Sequence, residues 1–345
     1  MDPAALDYTF DPTLIAQRPL GRRDGGRLLV VQRDEGPCVH AAVRDLADWL
    51  RPGDLVVVND AEVVPARLRG RRASGGAVEV LLTETVGEGG AFRCLARKAG
   101  RIRPGERISF GPDLEGIWGD VADGPYRQVQ LLADGNLATI LGRRGEVPLP
   151  PYIRRPAGPL PEDRTRYQTV FARVPGAIAA PTAGLHFTPA LLGRLDARGV
   201  RHVALTLLVG PGTFLPVRTP SVEAHRVPPE RYEISEDTAQ AITATRRVGG
   251  RIVAVGTTTV RALETAAVGD TAGVSAGGGW TDLVIAPGFR FRVVDALFTN
   301  LHLPRSSLLG LVAAFAGIEP TLSAYRAASR TGYRFYSYGD AMLIQ

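Results

Sequence analysis

Cysteine is almost absent from this 345-residue chain: only Cys38 and Cys94 occur, neither with a second cysteine or histidine at metal-ligand spacing. A disulfide framework and a structural zinc site are therefore unsupported, and both thiols are expected to be inert. Long hydrophobic runs are missing too. The longest nearly apolar stretch, residues 308–317, falls far short of the ~20 residues that cross a bilayer. The opening MDPAALDYTF has no basic segment followed by an apolar one. The expectation is a cytoplasmic chain with no membrane partner. GxGxxG and P-loop spacings are absent, which disfavours dinucleotide and nucleotide triphosphate binding. The GxSxG spacing occurs at Gly273-Val-Ser-Ala-Gly277, inside a Gly/Ala/Ser-rich stretch and not between a strand and a helix, which counts against the elbow of an α/β-hydrolase. Lysine is the last scarcity: every cation but Lys98 is arginine.

What remains is ordinary globular material. Hydrophobic residues are 45% and charged residues 22%, enough to bury a core, and the length suits two domains. Net charge is 41 − 35 = +6. Residues 67–155 hold 15 Arg plus Lys against 10 Asp plus Glu, so +5 of that excess sits in one stretch. Such a stretch either docks a polyanion or merely solvates a surface.

The opening third reads as a strand at 28–32, a helix around 41–50 and a strand at 54–59. Short alternating runs then follow at 78–83, 92–96, 107–110, 116–121 and 128–132, parted by Gly-rich or Asp-Gly turns, which suggests a small β-barrel or sandwich. After the prolines at 148–151 strands and helices alternate. Thr188-Pro189 is an N-cap and first-turn pair, with a helix to Ala197 and a stop at Gly199. A strand is expected at 201–209, a helix at 237–247, a strand at 251–255 and a helix at 258–267. A low-complexity loop at 268–280, a strand at 283–286, and helices at 306–316 and 320–329 complete the chain. The fold class is α/β, a mainly parallel sheet with helices, interrupted by a small all-β barrel. The domains expected are 1–66 with 149–345, and an inserted barrel at 67–148.

Ligands of open α/β sheets bind beyond the carboxyl ends of strands. Three segments suit that position: 180–187, which holds Thr182 and Gly184 and ends near His186; 255–264, which gathers Gly256, Thr257 and Thr258 at a helix start and carries Arg261 and Glu264; and 298–306, with Asn300 and His302. Each has a plainer reading. Thr258 is a helix cap, Arg261 and Glu264 a surface ion pair three residues apart, and the two histidines satisfied core residues.

Taken together, ordered motifs along the whole chain carry a resemblance. They are Arg27-Leu-Leu-Val, Leu55-Val-Val-Val-Asn-Asp with Pro65-Ala-Arg-Leu, Pro148-Leu-Pro-Pro-Tyr-Ile, Arg166-Tyr-Gln-Thr-Val and Ala179-Ala-Pro-Thr-Ala-Gly-Leu-His-Phe. Further along come Gly212-Thr-Phe-Leu-Pro-Val, Ala254-Val-Gly-Thr-Thr, Val260-Arg-Ala-Leu-Glu, Thr299-Asn-Leu-His-Leu-Pro-Arg-Ser and Tyr333-Arg-Phe-Tyr-Ser-Tyr-Gly-Asp-Ala-Met. On these the chain resembles the S-adenosylmethionine:tRNA ribosyltransferase-isomerase family of queuosine biosynthesis. The resemblance implies an α/β domain interrupted by a β-barrel. It implies S-adenosylmethionine as co-substrate with no metal, and transfer of its ribosyl unit to 7-aminomethyl-7-deazaguanine in tRNA. The product is epoxyqueuosine, with adenine and methionine released.

That chemistry needs a base for the proton next to the sulfonium and an acid for departing adenine. His186, Glu264, His302 and Asp340 are the catalytic candidates. Thr182, Gly184, Gly256, Thr257, Thr258 and Asn300 are the candidates for holding S-adenosylmethionine, and Arg261 for its carboxylate. Arg71, Arg72, Arg101 and Arg103 of the barrel are assigned to tRNA, and a monomer is expected. Three positions depart from the family pattern. Leu208 stands in Leu205-Thr-Leu-Leu-Val-Gly where the family has His, Pro228 in His225-Arg-Val-Pro-Pro-Glu where it has His, and Glu62 in Asn59-Asp-Ala-Glu where it has Arg. Leu301 replaces the usual Phe and Gly310 the usual Met. These leave two alternatives open: a paralog that uses S-adenosylmethionine on a small-molecule acceptor, and an inactive RNA-binding module.

Overall fold

The computed structural model describes every residue except 34, 35, 88, 98–101, 123, 157, 215, 216, 218 and 269–272, and the backbone alone of 213 and 214. The chain divides into two compact units. The larger comprises Met1–Glu62, Pro150–Arg154 and Arg166–Gln345, and the smaller Val63–Leu149 and Arg155–Thr165. The smaller unit thus takes in 155–165, beyond the expected limit at 148: Arg155 is paired with the buried Asp163 at 2.8 Å, and Arg164 donates to the Gly142 carbonyl at 2.7 Å.

The larger unit is built on a nine-stranded sheet in the order Gly277–Thr281, Glu230–Ile234, Arg201–Leu207, Leu55–Asn59, Ile252–Val255, Ala296–Asn300, Ala341–Ile344, Arg27–Val31, Val39–Ala42. Its centre is parallel, from Arg201–Leu207 through Leu55–Asn59 and Ile252–Val255 to Ala296–Asn300. Towards the edges the pairing is mostly antiparallel, so the sheet is mixed rather than mainly parallel. Leu55–Asn59 is buried at every residue: Leu55 and Val57 face one core, Val56 and Val58 the other. Burial on both faces is why these strands read as unbroken aliphatic runs. One face is covered by the helices Glu236–Arg247, Thr257–Thr265, Ser307–Ala316 and Ile318–Arg330, the other by Pro189–Ala197. The last starts as its sequence dictates, with Thr188 Oγ1 accepting from Leu191 N at 3.0 Å and Pro189 in the first turn.

Three expected elements differ. The helix at 41–50 is reduced to a 3-10 turn and Leu46–Trp49, because Val39–Ala42 extends along Arg27–Val31 instead. The end of the expected loop at 268–280 instead forms, with Thr281, the edge strand Gly277–Thr281 paired with Glu230–Ile234. No strand forms at 283–286; the sheet is continued by Ala296–Asn300.

In the smaller unit six strands close an antiparallel barrel: Arg127–Ala133, Ala91–Arg97, Ala77–Thr85, Arg67–Arg72, Arg107–Gly111 and Leu114–Val121. Alternate residues fill its interior, among them Leu68, Val80, Ile108, Trp118 and Val129. The expected runs omitted Arg67–Arg72, whose four arginines hide the inward Leu68 and Gly70. Cys94 is sealed inside, and burial pushes its thiol up to about 12.

Candidate functional site

A cleft of about 490 Å³ opens in the larger unit. Val209 follows one central parallel strand, Gly256 and Thr257 follow another, and Thr299 and Asn300 end a third; all of them line it. This is where an open α/β sheet places its ligand. Tyr152, Thr182, Thr258, His302, Leu308, Tyr336 and Ser337 complete most of the wall. A neighbouring recess of about 400 Å³ shares Thr257, Thr258 and Leu308 and adds the aliphatic Leu283, Val284, Ile285 and Leu311.

Gly256 makes the approach possible. Its φ of 90° belongs to the region that favours glycine, and a Cβ there would stand 3.4 Å from that of Ala183. The chain therefore turns sharply from Val255 into the helix Thr257–Thr265, with the N-terminal threonines on the cleft wall. Thr258 does not cap this helix, which has no side-chain cap; its hydroxyl accepts from Asn59 Nδ2 at 3.3 Å. Asn59 is itself pinned by Leu207, whose N–H donates to Oδ1 at 3.0 Å and whose carbonyl accepts from Nδ2 at 2.9 Å.

Asn300 is the hub of the opposite wall. Its Nδ2 donates to the Tyr336 carbonyl at 3.3 Å and to His186 Nε2 at 3.1 Å, and its Oδ1 accepts from Thr182 Oγ1 at 2.8 Å. The carbonyl can only accept, so the amide orientation is fixed and His186 Nε2 must be an acceptor. His186 is buried behind Asn300, off the cleft wall, and burial lowers it to about 4 despite the nearby Asp340 carboxylate. His302 does reach the wall; burial holds it neutral, down to about 3.

Two tyrosines on the wall had motif membership in the sequence but no assigned role. The rings of Tyr152 and Tyr336 lie 4.0 Å apart at 41°, and Tyr152 Oη is 2.6 Å from Ser337 Oγ. Tyr336 has φ 68°, a conformation rare for a bulky residue and costing of order 1–3 kcal/mol. Spacing alone gave no hint of it.

Several sequence candidates are committed elsewhere. Glu264 is off the wall: its carboxylate accepts from the backbone N–H groups of Arg292, Val293 and Val294 at 2.9, 3.1 and 3.0 Å. Asp340 accepts from Arg27 N at 3.0 Å and Arg334 N at 2.9 Å and pairs with the Arg27 guanidinium. Arg261 and Glu264 are both buried and do not pair with each other; Arg261 borders the aliphatic recess but pairs with buried Glu230 and donates to Leu283 O and Thr281 O. Gly184 is buried beside Thr169, off the wall.

In the barrel, Arg72 is spent on Glu106, with Nη2 at 2.9 Å from Oε2. Asp113 likewise takes both Arg143 and Arg144, and Glu146 takes Arg69. Arg71 and Arg103 remain exposed without an ion pair among the described residues, and Arg101 lies outside them. Ion pairs thus occupy Arg69, Arg72, Arg143 and Arg144 locally, and the net excess of the stretch rests on the cations outside such pairs.

The comparisons follow the same architecture. A family model described as "Queuosine biosynthesis protein" matches residues 4–344. A protein of Pelobacter propionicus named S-adenosylmethionine:tRNA ribosyltransferase-isomerase is 51% identical over 343 residues, 99% of this chain and 98% of its own. One of the same name from Anaeromyxobacter sp. (strain Fw109-5) is 52% identical over 342 residues, 98% and 97% of the two chains. The crystal structure of an S-adenosylmethionine tRNA ribosyltransferase from Thermotoga maritima matches with a TM-score of 0.57 at 36% identity, covering 99% of this chain and 100% of that one. Matched from end to end in sequence and architecture, the chain belongs to the queuosine biosynthesis protein family.

Proposed function

We propose that this protein is an S-adenosylmethionine:tRNA ribosyltransferase-isomerase. It moves the ribosyl unit of S-adenosylmethionine to the aminomethyl group of a 7-deazaguanine base in tRNA and rearranges it to the epoxycyclopentanediol, with adenine and methionine leaving. The observation that carries the reading is the cleft at the ends of the parallel strands, in a chain half identical to proteins of that name. Its wall is neutral and rich in hydroxyls. Thr182, Thr257, Thr258 and Asn300 offer donors and acceptors to a ribose and an amino acid arm, and the rings of Tyr152 and Tyr336 offer flat apolar surface to a purine. A neutral wall suits a cationic sulfonium, which a fixed positive charge would repel.

His302 is the one imidazole on that wall, and Glu264 and Asp340 are not on it. We therefore assign direct contact with bound S-adenosylmethionine to His302, and to His186 the support of Asn300 from behind. Of the arginines assigned to tRNA, Arg71 and Arg103 are exposed without an ion pair among the described residues, which leaves them available to phosphate.

The test is mass spectrometry of the full chain with S-adenosylmethionine, alone and with tRNA carrying 7-aminomethyl-7-deazaguanine. Adenine, methionine and a mass gain on the base are expected. S-adenosylmethionine consumed with the tRNA untouched would transfer the reading to a small-molecule acceptor, the alternative that Glu62, Leu208 and Pro228 raise. Neither consumption nor mass gain would refute both.

A further inference from the structure

We infer that Tyr325 is a positioning residue that fixes the tautomer of His302, so that the ring presents an Nε2–H donor to the cleft. Tyr325 is fully buried on the helix Ile318–Arg330. Its Oη lies 3.2 Å from the His302 backbone N and 3.2 Å from His302 Nδ1, with no other hydrogen-bond partner among the described residues. The backbone N–H can only donate, so it takes a lone pair of the phenol oxygen. The phenolic proton then has one acceptor within reach, Nδ1.

The opposite arrangement, with Nδ1 protonated, would aim two N–H groups at one oxygen. It would leave a buried O–H with nothing to donate to, a penalty the observed geometry avoids. Nδ1 is therefore the acceptor, and a neutral imidazole carries its proton on Nε2. The backbone of His302 is held as well, because Tyr8 Oη donates to its carbonyl at 2.6 Å. Nε2 has no protein partner among the described residues and is not a sealed orphan atom, while the side chain lines the cleft.

The consequence separates the two buried histidines. At His186 Nε2 accepts from Asn300 and is consumed inside the protein; at His302 Nε2 donates outward. A ring already protonated at its outward nitrogen cannot take the proton beside the sulfonium. It binds a lone pair instead, on an adenine ring nitrogen or a ribose or carboxylate oxygen. That last step rests on the cleft being the S-adenosylmethionine site.

The experiment reads the ring directly. The full chain labelled with ¹⁵N-histidine contains five imidazoles, and a long-range ¹H–¹⁵N correlation distinguishes protonated from bare nitrogens; His302→Gln identifies the signals. Wild type is expected to show His302 with protonated Nε2 and bare Nδ1, before and after addition of S-adenosylmethionine. Tyr325→Phe is expected to give a mixed or inverted tautomer, with turnover down about tenfold or more, and a far-ultraviolet circular dichroism spectrum like wild type. A merely structural tyrosine would move the melting point and leave the ring signals alone. Protonated Nδ1 or a cationic ring in wild type overturns the inference, as does an unchanged tautomer in Tyr325→Phe. Should that variant fail to fold, the wild-type spectrum decides alone. Calorimetric titration with S-adenosylmethionine, run separately, tests the reading of the cleft without touching the tautomer.

Discussion

Replacing Glu230 by Gln tests whether Arg261 is committed to the protein or available to a ligand. Arg261 is 8% exposed and Glu230 5%. Arg261 donates from Nε to Leu283 O at 2.8 Å, from Nη2 to Thr281 O at 3.3 Å, and from Nη1 to Glu230. Glu230 Oε1 also accepts from Gly210 N at 2.8 Å. Breaking one partner of a buried pair leaves an uncompensated charge and costs about 3–5 kcal/mol. Gln retains an acceptor oxygen for one of the two bonds, which puts the expected loss at the lower end, about 3 kcal/mol. At a urea m-value of about 3 kcal/mol/M the midpoint falls by about 1 M. Because the chain has two compact units, unfolding of the larger is followed by hydrogen exchange in the strand Ile252–Val255 across a urea series. The double variant Glu230→Leu, Arg261→Met should recover most of the loss, having no buried charge to strand. A midpoint shift below about 0.3 M for Glu230→Gln would refute the reasoning and return Arg261 to the carboxylate of a bound ligand.

Glu264→Gln removes the charge that gathers three backbone N–H groups at 292–294 and should cost about 2 kcal/mol while leaving kcat within a few-fold; a large loss of kcat at normal stability would restore it as a catalytic group. His186 and His302 have folded-state values of about 4 and about 3, below the ordinary 6.5, so the unfolded chain binds protons that the native one refuses. Stability is then complete above about pH 6.5 and falls as pH drops towards 4, by about 2 kcal/mol per histidine between pH 7 and 5. His186→Asn and His302→Asn should each flatten that fall in urea titrations, and an unchanged slope would show the ring to be protonated in the native state. Arg71→Ala with Arg103→Ala should weaken tRNA binding and lower the salt slope by about 2, whereas Arg72→Ala, already paired with Glu106, should leave the slope alone; filter binding across a salt series separates them.

The sequence was most legible where one physical signal dominated. Aliphatic runs bounded by polar residues marked Leu55–Asn59 and Ile252–Val255, and Thr188-Pro189 marked a helix start to the residue. It was least legible where the partner lay far away in the chain. Gly277–Thr281 is a strand because Glu230–Ile234 offers it a ladder, not because Gly-Gly-Gly-Trp-Thr favours extended structure. The site shows the same division. Thr182, Thr257, Thr258, Asn300 and His302 could be picked out as polar groups beyond strands, and all line the cleft. The separation of His302 from His186, and of both from Glu264 and Asp340, depends on hydrogen bonds that span from 23 residues, in His302–Tyr325, to more than 300, in Arg27–Asp340. No spacing rule reaches that far.

The three departures from the family pattern are best weighed by where they fall. Neither the cleft nor the aliphatic recess is lined by Glu62, Leu208 or Pro228. Leu208 turns its methyls to Gly176, where an added Cβ would come within 3.2 Å, while the next residue, Val209, faces the cleft. Pro228 lies against Gly212, where a Cβ would meet its Cδ at 2.6 Å, while its neighbour Val227 borders the recess. Both replacements thus pack against glycines beside the site and leave its polar wall of Thr182, Thr257, Thr258, Asn300 and His302 intact. Glu62 is half-buried and makes no ion pair among the described residues. A chain that had abandoned S-adenosylmethionine would have no reason to keep the strained backbone of Tyr336 on the cleft wall, which costs stability when nothing binds there. Selection for a different acceptor would instead alter residues around an intact cleft, and so would drift. The acceptor side is therefore where these substitutions carry information, and tRNA against a small amine is the comparison that reads it.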